Sequence, residues 1–341
     1  MNRRTFIGQT AISISAMAVK PVFSDKKEVP FYGHNGRVYR QVKGWGELNA
    51  SQFPVKDCHE MVQDRKGRIL LLTNETRNNV LIYNTGGKLI NSWGKEYPGA
   101  HGLTLAGEGK DEFLLITDTA RHEVYKTTLD GELLMTLEFP EAAELYEKKE
   151  AYVPTETTVA PNGDIYVADG YGQQYILHYG ADGKLKGWFG GRGEGDKFLD
   201  NAHGICVDKR KGDATLLVTD RTRCCFKRFT MAGDLLEIIE VPGACVCRPV
   251  IHGDLLYAAV LRSPDMNHAK SGFVTILDKE NRVISNIGGS EPVYKDGKLQ
   301  PMSQQTPLFI HPHDVCVDRD ENIYVAQWAS GNVYPYKFER V

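Results

Sequence analysis

Four histidines occupy one place in a repeated phrase. His59, His101, His203 and His313 each open an alternating apolar stretch, five residues before Asp64, Ala106, Asp208 and Asp318 respectively. The chain has only ten histidines in 341 residues, so four in one register are hard to ascribe to chance. A neutral imidazole is a common metal ligand. Three of them around an ion with an open fourth place make the catalytic form of zinc. Four, with thiols nearby, leave copper as an alternative. In this reading His101, His203 and His313 are metal ligands. His59 is a possible fourth ligand, a substrate contact or a support for the other three. His311, in the stretch HPHDVCVD, falls outside the register and is expected at a rim. Asp314, which follows His313, points away from the ion, either to hold a neighbouring group or a structural cation such as calcium, or to cap a turn.

Such side chains meet only if equivalent strand starts are arranged about one axis. The phrase supplies that arrangement. Six copies begin at His59, His101, Pro154, His203, Cys247 and His313, the fifth of them degenerate. Each alternates apolar and polar residues with a period of two and carries turns such as Asp130-Gly131, Asn162-Gly163 and Asp182-Gly183. Four short strands per copy make a propeller blade, and the first strand of each blade lines the central channel. The sixth copy ends about one strand short, and GRVYRQVKGW at 36–45 reads as the strand that closes the ring. The fold class is therefore all-β, a six-bladed β-propeller over 36–341 closed by an N-terminal strand, with a pair of β-sandwiches as the weaker alternative. The insertions 138–153 and 289–310 are expected as loops on a face of the disc.

The opening residues, MNRRTFIGQTAISISAMAVKPVFS, combine Arg3-Arg4 with a short apolar run. They read as a twin-arginine export signal over 1–24, followed by a linker over 25–35. The apolar run is too short to anchor the chain in a bilayer. The expected location is periplasmic or secreted, with no membrane anchor in the mature form. A formal net charge of −3 gives no basic surface for nucleic acid. The seven cysteines are an odd number, so at least one thiol stays unpaired within a monomer. Cys206 and Cys316 fall on apolar strand positions and read as buried thiols.

The quoted order PGAHGL…ITDTARHEVYK, VPTETTVAPNGDIYVADGYG, NAHGICVD…VTDR and HPHDVCVD…NIYVAQWASGNV resembles the NHL-repeat propeller of peptidyl-α-hydroxyglycine α-amidating lyases over about residues 50–341. The resemblance implies a catalytic zinc on His101, His203 and His313. It implies Tyr171 as the base on a substrate hydroxyl and Arg221 as a second catalytic residue. It also implies a structural calcium held by Asp314 with the backbone carbonyls of Leu103 and Met61. There are departures. Asn74 stands near the family's first-blade arginine, with Arg77 close by. Gly172 replaces a cysteine, so that disulfide is absent. His59 and the cysteines at 224–247 have no counterpart, and His311 stands where the family has a methionine.

Tyr171 and Arg221 follow Asp169 and Asp220, which with Asp118 recur as turn acids in three blades and should stabilise those turns. Tyr171 could take a proton and Arg221 could grip a carboxylate in a fork. The expected activity is that of an exported, zinc-dependent carbon–oxygen or carbon–nitrogen lyase. Its substrate would be small and polar or peptide-derived, of the α-hydroxyglycine type, and the protein a monomer. The alternative is a propeller that binds partners without turnover.

Overall fold

Apolar residues at every second position give each strand two faces, and in a blade both faces must be covered by neighbouring blades. A computed structural model, describing residues 30–137, 139–141 and 144–341, shows how the chain meets that demand. Six antiparallel sheets follow one another as blades in chain order, and a two-stranded hairpin, Tyr294–Lys295 with Lys298–Leu299, lies in the 289–310 insertion. Blade one comprises Cys58–Gln63, Ile69–Thr73, Val80–Tyr83 and Leu89–Trp93. Blade two comprises Ala100–Ala106, Phe113–Asp118, Glu123–Thr128 and Leu133–Leu137. Blade three comprises Glu156–Val159, Ile165–Ala168, Tyr175–Tyr179 and Leu185–Gly190. Blade four comprises Ala202–Asp208, Thr215–Asp220, Cys225–Phe229 and Leu235–Glu240. Blade five is irregular: Cys245–Val246 and Val250–His252 share the inner edge of Leu255–Arg262, followed by Phe273–Leu277 and Val283–Ile287.

Blade six closes the ring as expected. Pro312–Val317, Ile323–Gln327 and Tyr336–Arg340 are completed by Arg37–Val42, which pairs antiparallel with Tyr336–Arg340. The chain adds a fifth strand, Phe31–His34, outside Arg37–Val42. Part of the expected linker 25–35 thus belongs to the sheet. The expected signal segment, 1–24, lies outside the described residues.

The core is divided among the contacts between blades. Leu70, Leu72, Leu114 and Ile116 pack between blades one and two. Leu115, Val124, Val167 and Leu177 pack between blades two and three. The same pattern continues around the disc to Trp45, Tyr83, Cys316 and Tyr324, which join blades six and one. Among the described residues, helix is limited to short 3-10 turns, such as Gly109–Asp111 and Lys149–Ala151. No described helix is long and apolar enough to cross a membrane.

Candidate metal centre on the propeller axis

The inner strand of each histidine-bearing blade is interrupted where the histidine sits. Pairing shifts between Cys58 and Glu60, Ala100 and Leu103, Ala202 and Ile205, and Pro312 and Asp314. A bulge of this kind frees one residue from the ladder and re-aims its side chain. Here it turns His59, His101, His203 and His313 into the channel. The residues after two of them, Gly102 and Gly204, carry no side chain because the next blade passes too close. A Cβ at Gly204 would stand 2.5 Å from Arg248 Cα, and one at Gly102 would stand 2.6 Å from the Thr155 carbonyl oxygen.

The four imidazoles form a closed cluster. Ring centroids lie 4.7 Å apart for His59–His101, 4.8 Å for His59–His313, 4.9 Å for His101–His203 and 4.8 Å for His203–His313. All four are buried. Burial pushes the His59 ring down to about 3, with the Lys56 charge adding to the effect. Burial, with the neighbouring histidines and Arg221, also holds His101, His203 and His313 well below the ordinary imidazole range. They are therefore neutral at pH 7, the state in which imidazole binds a metal. His101 Nδ1 bonds the Thr155 carbonyl at 2.8 Å and His313 Nδ1 bonds the His59 carbonyl at 3.0 Å. These bonds fix the tautomer and leave Nε2 without its proton on each ring. His59 Nδ1 and His203 Nδ1 are buried without any partner. Neutral, convergent and partly unsatisfied nitrogens suit a d-block cation, and the described residues fit that role. Ligand atoms of His59, His101 and His313 lie within 4.8 Å of one another, as do those of His203, Cys247 and His313.

Tyr171 stands at the mouth of the cluster, 41 % exposed. Its hydroxyl lies 3.1 Å from both His101 Nε2 and His203 Nε2. Arg221, itself buried, donates from Nη2 to that hydroxyl at 3.3 Å and from Nη1 to Cys247 Sγ at 3.9 Å. Tyr171 and Arg221 are held by the turn acids of blades three and four. Asp169 accepts the backbone N–H groups of Val153 and Gln173 and the Tyr146 hydroxyl. Burial raises its carboxyl to about 7. Asp220 accepts the Asp200 N–H and faces the buried Lys227 ammonium at 2.8 Å. Asp118 clasps Gly99, Ala120 and Arg121 in the same way in blade two. Tyr146 comes from the 138–153 insertion, which thereby braces the Tyr171 turn from behind.

One layer along the axis the structure corrects the calcium expectation. The Arg248 guanidinium fills the position assigned to the ion. Its Nη2 donates to Asp314 Oδ2 at 2.8 Å and to the Met61 carbonyl at 3.1 Å, and its Nη1 to the Leu103 carbonyl at 3.0 Å. Nε donates to Asp314 Oδ1 at 3.1 Å. Glu60 and Glu156 lie 3.6 and 3.8 Å from the same group. Every oxygen that Asp314, Leu103 and Met61 would offer to calcium is taken by a fixed organic cation. Beyond Arg248 the channel opens into a cavity of about 860 Å³, bordered by Leu105, Val159, Cys206 and Val317, that does not reach the histidines.

Other sequence features fall elsewhere. Arg77 is exposed and paired with Glu75, so it does not replace the missing first-blade arginine, while Asn74 bonds Asp57. His311 is buried beside Trp328 and accepts the Lys270 N–H, outside the cluster. Cys224 Sγ and Cys245 Sγ lie 3.4 Å apart at the join of blades four and five, and both are free thiols. Arg248 and Cys247 are the site residues that sequence reasoning left unassigned. The register held the signal, because Cys247 opens the fifth copy and Arg248 follows it as Asp314 follows His313.

No family model matches the chain. A stretch of 105 residues is 36 % identical to peptidyl-α-hydroxyglycine α-amidating lyase 1 of Drosophila melanogaster, covering 29 % of this chain and 18 % of that protein. The matched region thus spans under a fifth of that relative's length. Among solved structures, a gluconolactonase from Xanthomonas campestris matches with a TM-score of 0.60 at 13 % identity, covering 92 % of this chain and 95 % of the other. Virginiamycin B lyase from Staphylococcus aureus matches with a TM-score of 0.53 at 13 % identity, covering 85 % and 87 %. At such identities these likenesses speak for the fold. The chain is a six-bladed β-propeller that resembles, over part of its length, a peptidyl-α-hydroxyglycine α-amidating lyase.

Proposed function

We propose that the protein is an exported, metal-dependent lyase acting on a small polar substrate of the α-hydroxyglycine type. The observation that carries this reading is the convergence of four neutral, buried imidazoles beneath the Tyr171 hydroxyl, with Arg221 against the same oxygen. His101, His203 and His313 would hold the ion, with His59 as the further nitrogen. Zinc bound there would supply Lewis-acid polarisation of a hydroxyl or carbonyl oxygen.

The chain's own groups account for the rest. An α-hydroxyglycine loses its hydroxyl proton, forms a carbonyl at that carbon, and releases the nitrogen, which takes up a proton. Tyr171 would receive the hydroxyl proton and return one to the leaving nitrogen, a role supported by its exposed position and its hydroxyl's contacts with His101, His203 and Arg221. Arg221 places a fixed positive charge beside Tyr171 Oη. Its Nε is buried without a partner, and a substrate carboxylate is the proposed partner of the guanidinium. Export by a twin-arginine route and action as a monomer are part of the same proposal.

Metal analysis followed by a substrate screen tests it. The purified protein should hold one zinc or copper ion per chain, and His203→Ala should lose it. The loaded protein should convert an N-acyl-α-hydroxyglycine to the amide and an aldehyde acid. Protein without stoichiometric metal sinks the reading, whereas protein that holds metal but turns over none of the series is a binding propeller.

A further inference from the structure

We propose that Cys247 is a ligand in the same centre, so that the ion is bound by sulfur as well as nitrogen. This inference rests on the reading that the ring holds a metal.

Cys247 occupies the ring position of blade five. Its N–H bonds the Ala259 carbonyl, as the N–H of Thr155, which takes the ring position of blade three one residue after Pro154, bonds the Ala168 carbonyl. Going around the axis, the six positions are therefore His59, His101, Thr155, His203, Cys247 and His313. The thiol is fully buried, and its sulfur lies within 4.8 Å of ligand nitrogens from the histidines on either side, His203 and His313. The sulfur's hydrogen bonds are long ones: Arg221 Nη1 donates to it at 3.9 Å and it reaches the Pro312 carbonyl at 4.0 Å. Independently, His203 is 1 % exposed and its Nδ1 has no partner, so the histidine adjoining the thiol is itself unsatisfied.

The ring thus presents two donor sets that share His313. One is all imidazole, from His59, His101 and His313. The other is His203, Cys247 and His313. A thiolate beside two imidazoles selects zinc or copper and disfavours magnesium, calcium and manganese, whose preferred ligands are oxygen. Sulfur also gives electron density to the ion, which tempers its acidity toward a substrate oxygen. Arg221 then acquires a second role, because its guanidinium lies between the thiolate and Tyr171 and offsets the charge that sulfur brings.

Cobalt(II) is the probe, since a cobalt–thiolate bond adds a strong near-ultraviolet charge-transfer absorption that cobalt–imidazole bonds lack. Metal-stripped full-length protein, Cys247→Ser and Cys245→Ser would each be titrated with cobalt chloride and followed by absorption and by bound metal per chain. The expected result is one cobalt per chain in all three, with the near-ultraviolet band in wild type and Cys245→Ser and its loss in Cys247→Ser. Affinity in Cys247→Ser should fall by at least roughly 10-fold, since removing even a residue that only supports a ligand costs about 10- to 100-fold. Wild type that binds cobalt without the band, or a band that persists in Cys247→Ser, overturns the inference and leaves the metal reading intact. Wild type that takes up no cobalt overturns both.

Discussion

Tyr171 Oη touches three of the groups on which the proposed chemistry depends: His101 Nε2, His203 Nε2 and Arg221 Nη2. Its ring packs edge-on against His101, with centroids 5.1 Å apart, so removal of the hydroxyl alone leaves the packing in place. Tyr171→Phe should therefore retain its metal while turnover of an α-hydroxyglycine falls by about 10²- to 10⁴-fold, the range a positioned acid–base group supplies. Steady-state kinetics beside metal analysis checks this; loss of metal together with rate would make Tyr171 a structural prop. Arg221→Lys keeps a charge but loses the planar fork and the reach to both Tyr171 and Cys247. It should raise KM for carboxylate-bearing substrates by roughly 10-fold, about 1.4 kcal/mol of lost contact. An uncharged analogue of the same substrate should show little change.

At the scale of the strand, period-two alternation made the blades legible, and with them the shared register of His59, His101, His203 and His313. The bulges that turn those side chains inward were not legible, because each is a one-residue event that leaves the alternation intact. Blade five hid more. Its inner edge is split between Cys245–Val246 and Val250–His252, so Cys247 and Arg248 sit between strands rather than within one. Phe31–His34 was missed for a different reason: an outermost strand of four residues needs only one partner and has little apolar signature. Asp208, at the far end of blade four's inner strand, shows what fixes such a strand in place. Its carboxylate is buried between Arg210 at 2.8 Å and Arg228 at 2.9 Å, and Arg210 continues to Asp278 and Asn281 of blade five. Burial pushes this carboxyl up, but the Arg210 and Arg228 contacts outweigh it and bring it down to about 2. A folded value below the unfolded 3.8 means that the stabilisation is present above pH 3.8 and is lost as pH falls through about 2. Asp208→Asn should cost about 3–5 kcal/mol at neutral pH, because two buried guanidiniums lose the carboxylate between them and only Arg228 keeps another, Glu237. It should also flatten the acid limb between those two values. Urea unfolding as a function of pH reads both effects; an unchanged acid limb would place the titration elsewhere.

Across the whole molecule, the blades converge on Arg248. This single side chain from blade five bonds Met61 O of blade one, Leu103 O of blade two and Asp314 of blade six, and lies beside Glu156 of blade three. The surrounding oxygens in turn hold the frame: Asp314 accepts the Met61 N–H and Glu60 accepts the Leu103 N–H. Burial raises the Glu60 carboxyl well above its usual range, with Arg248 opposing and Glu156 adding to the rise. The layer thus has more acid than one guanidinium can neutralise, and Arg248 is indispensable to it. Arg248→Ala should destabilise the protein by about 3–5 kcal/mol, the cost of leaving buried charges without their partner. It should also uncover a set of carboxylate and carbonyl oxygens of the kind calcium prefers. The melting temperature of Arg248→Ala should therefore drop by several degrees and recover in millimolar calcium chloride, but not in sodium chloride of equal ionic strength. Wild type should be indifferent to calcium, because its cation is part of the chain. If wild type gains stability from calcium to the same degree as Arg248→Ala, the ion binds somewhere other than this layer. If neither responds and Arg248→Ala melts like wild type, the disc is held by its six apolar contacts between blades and the axial charges are incidental to its closure.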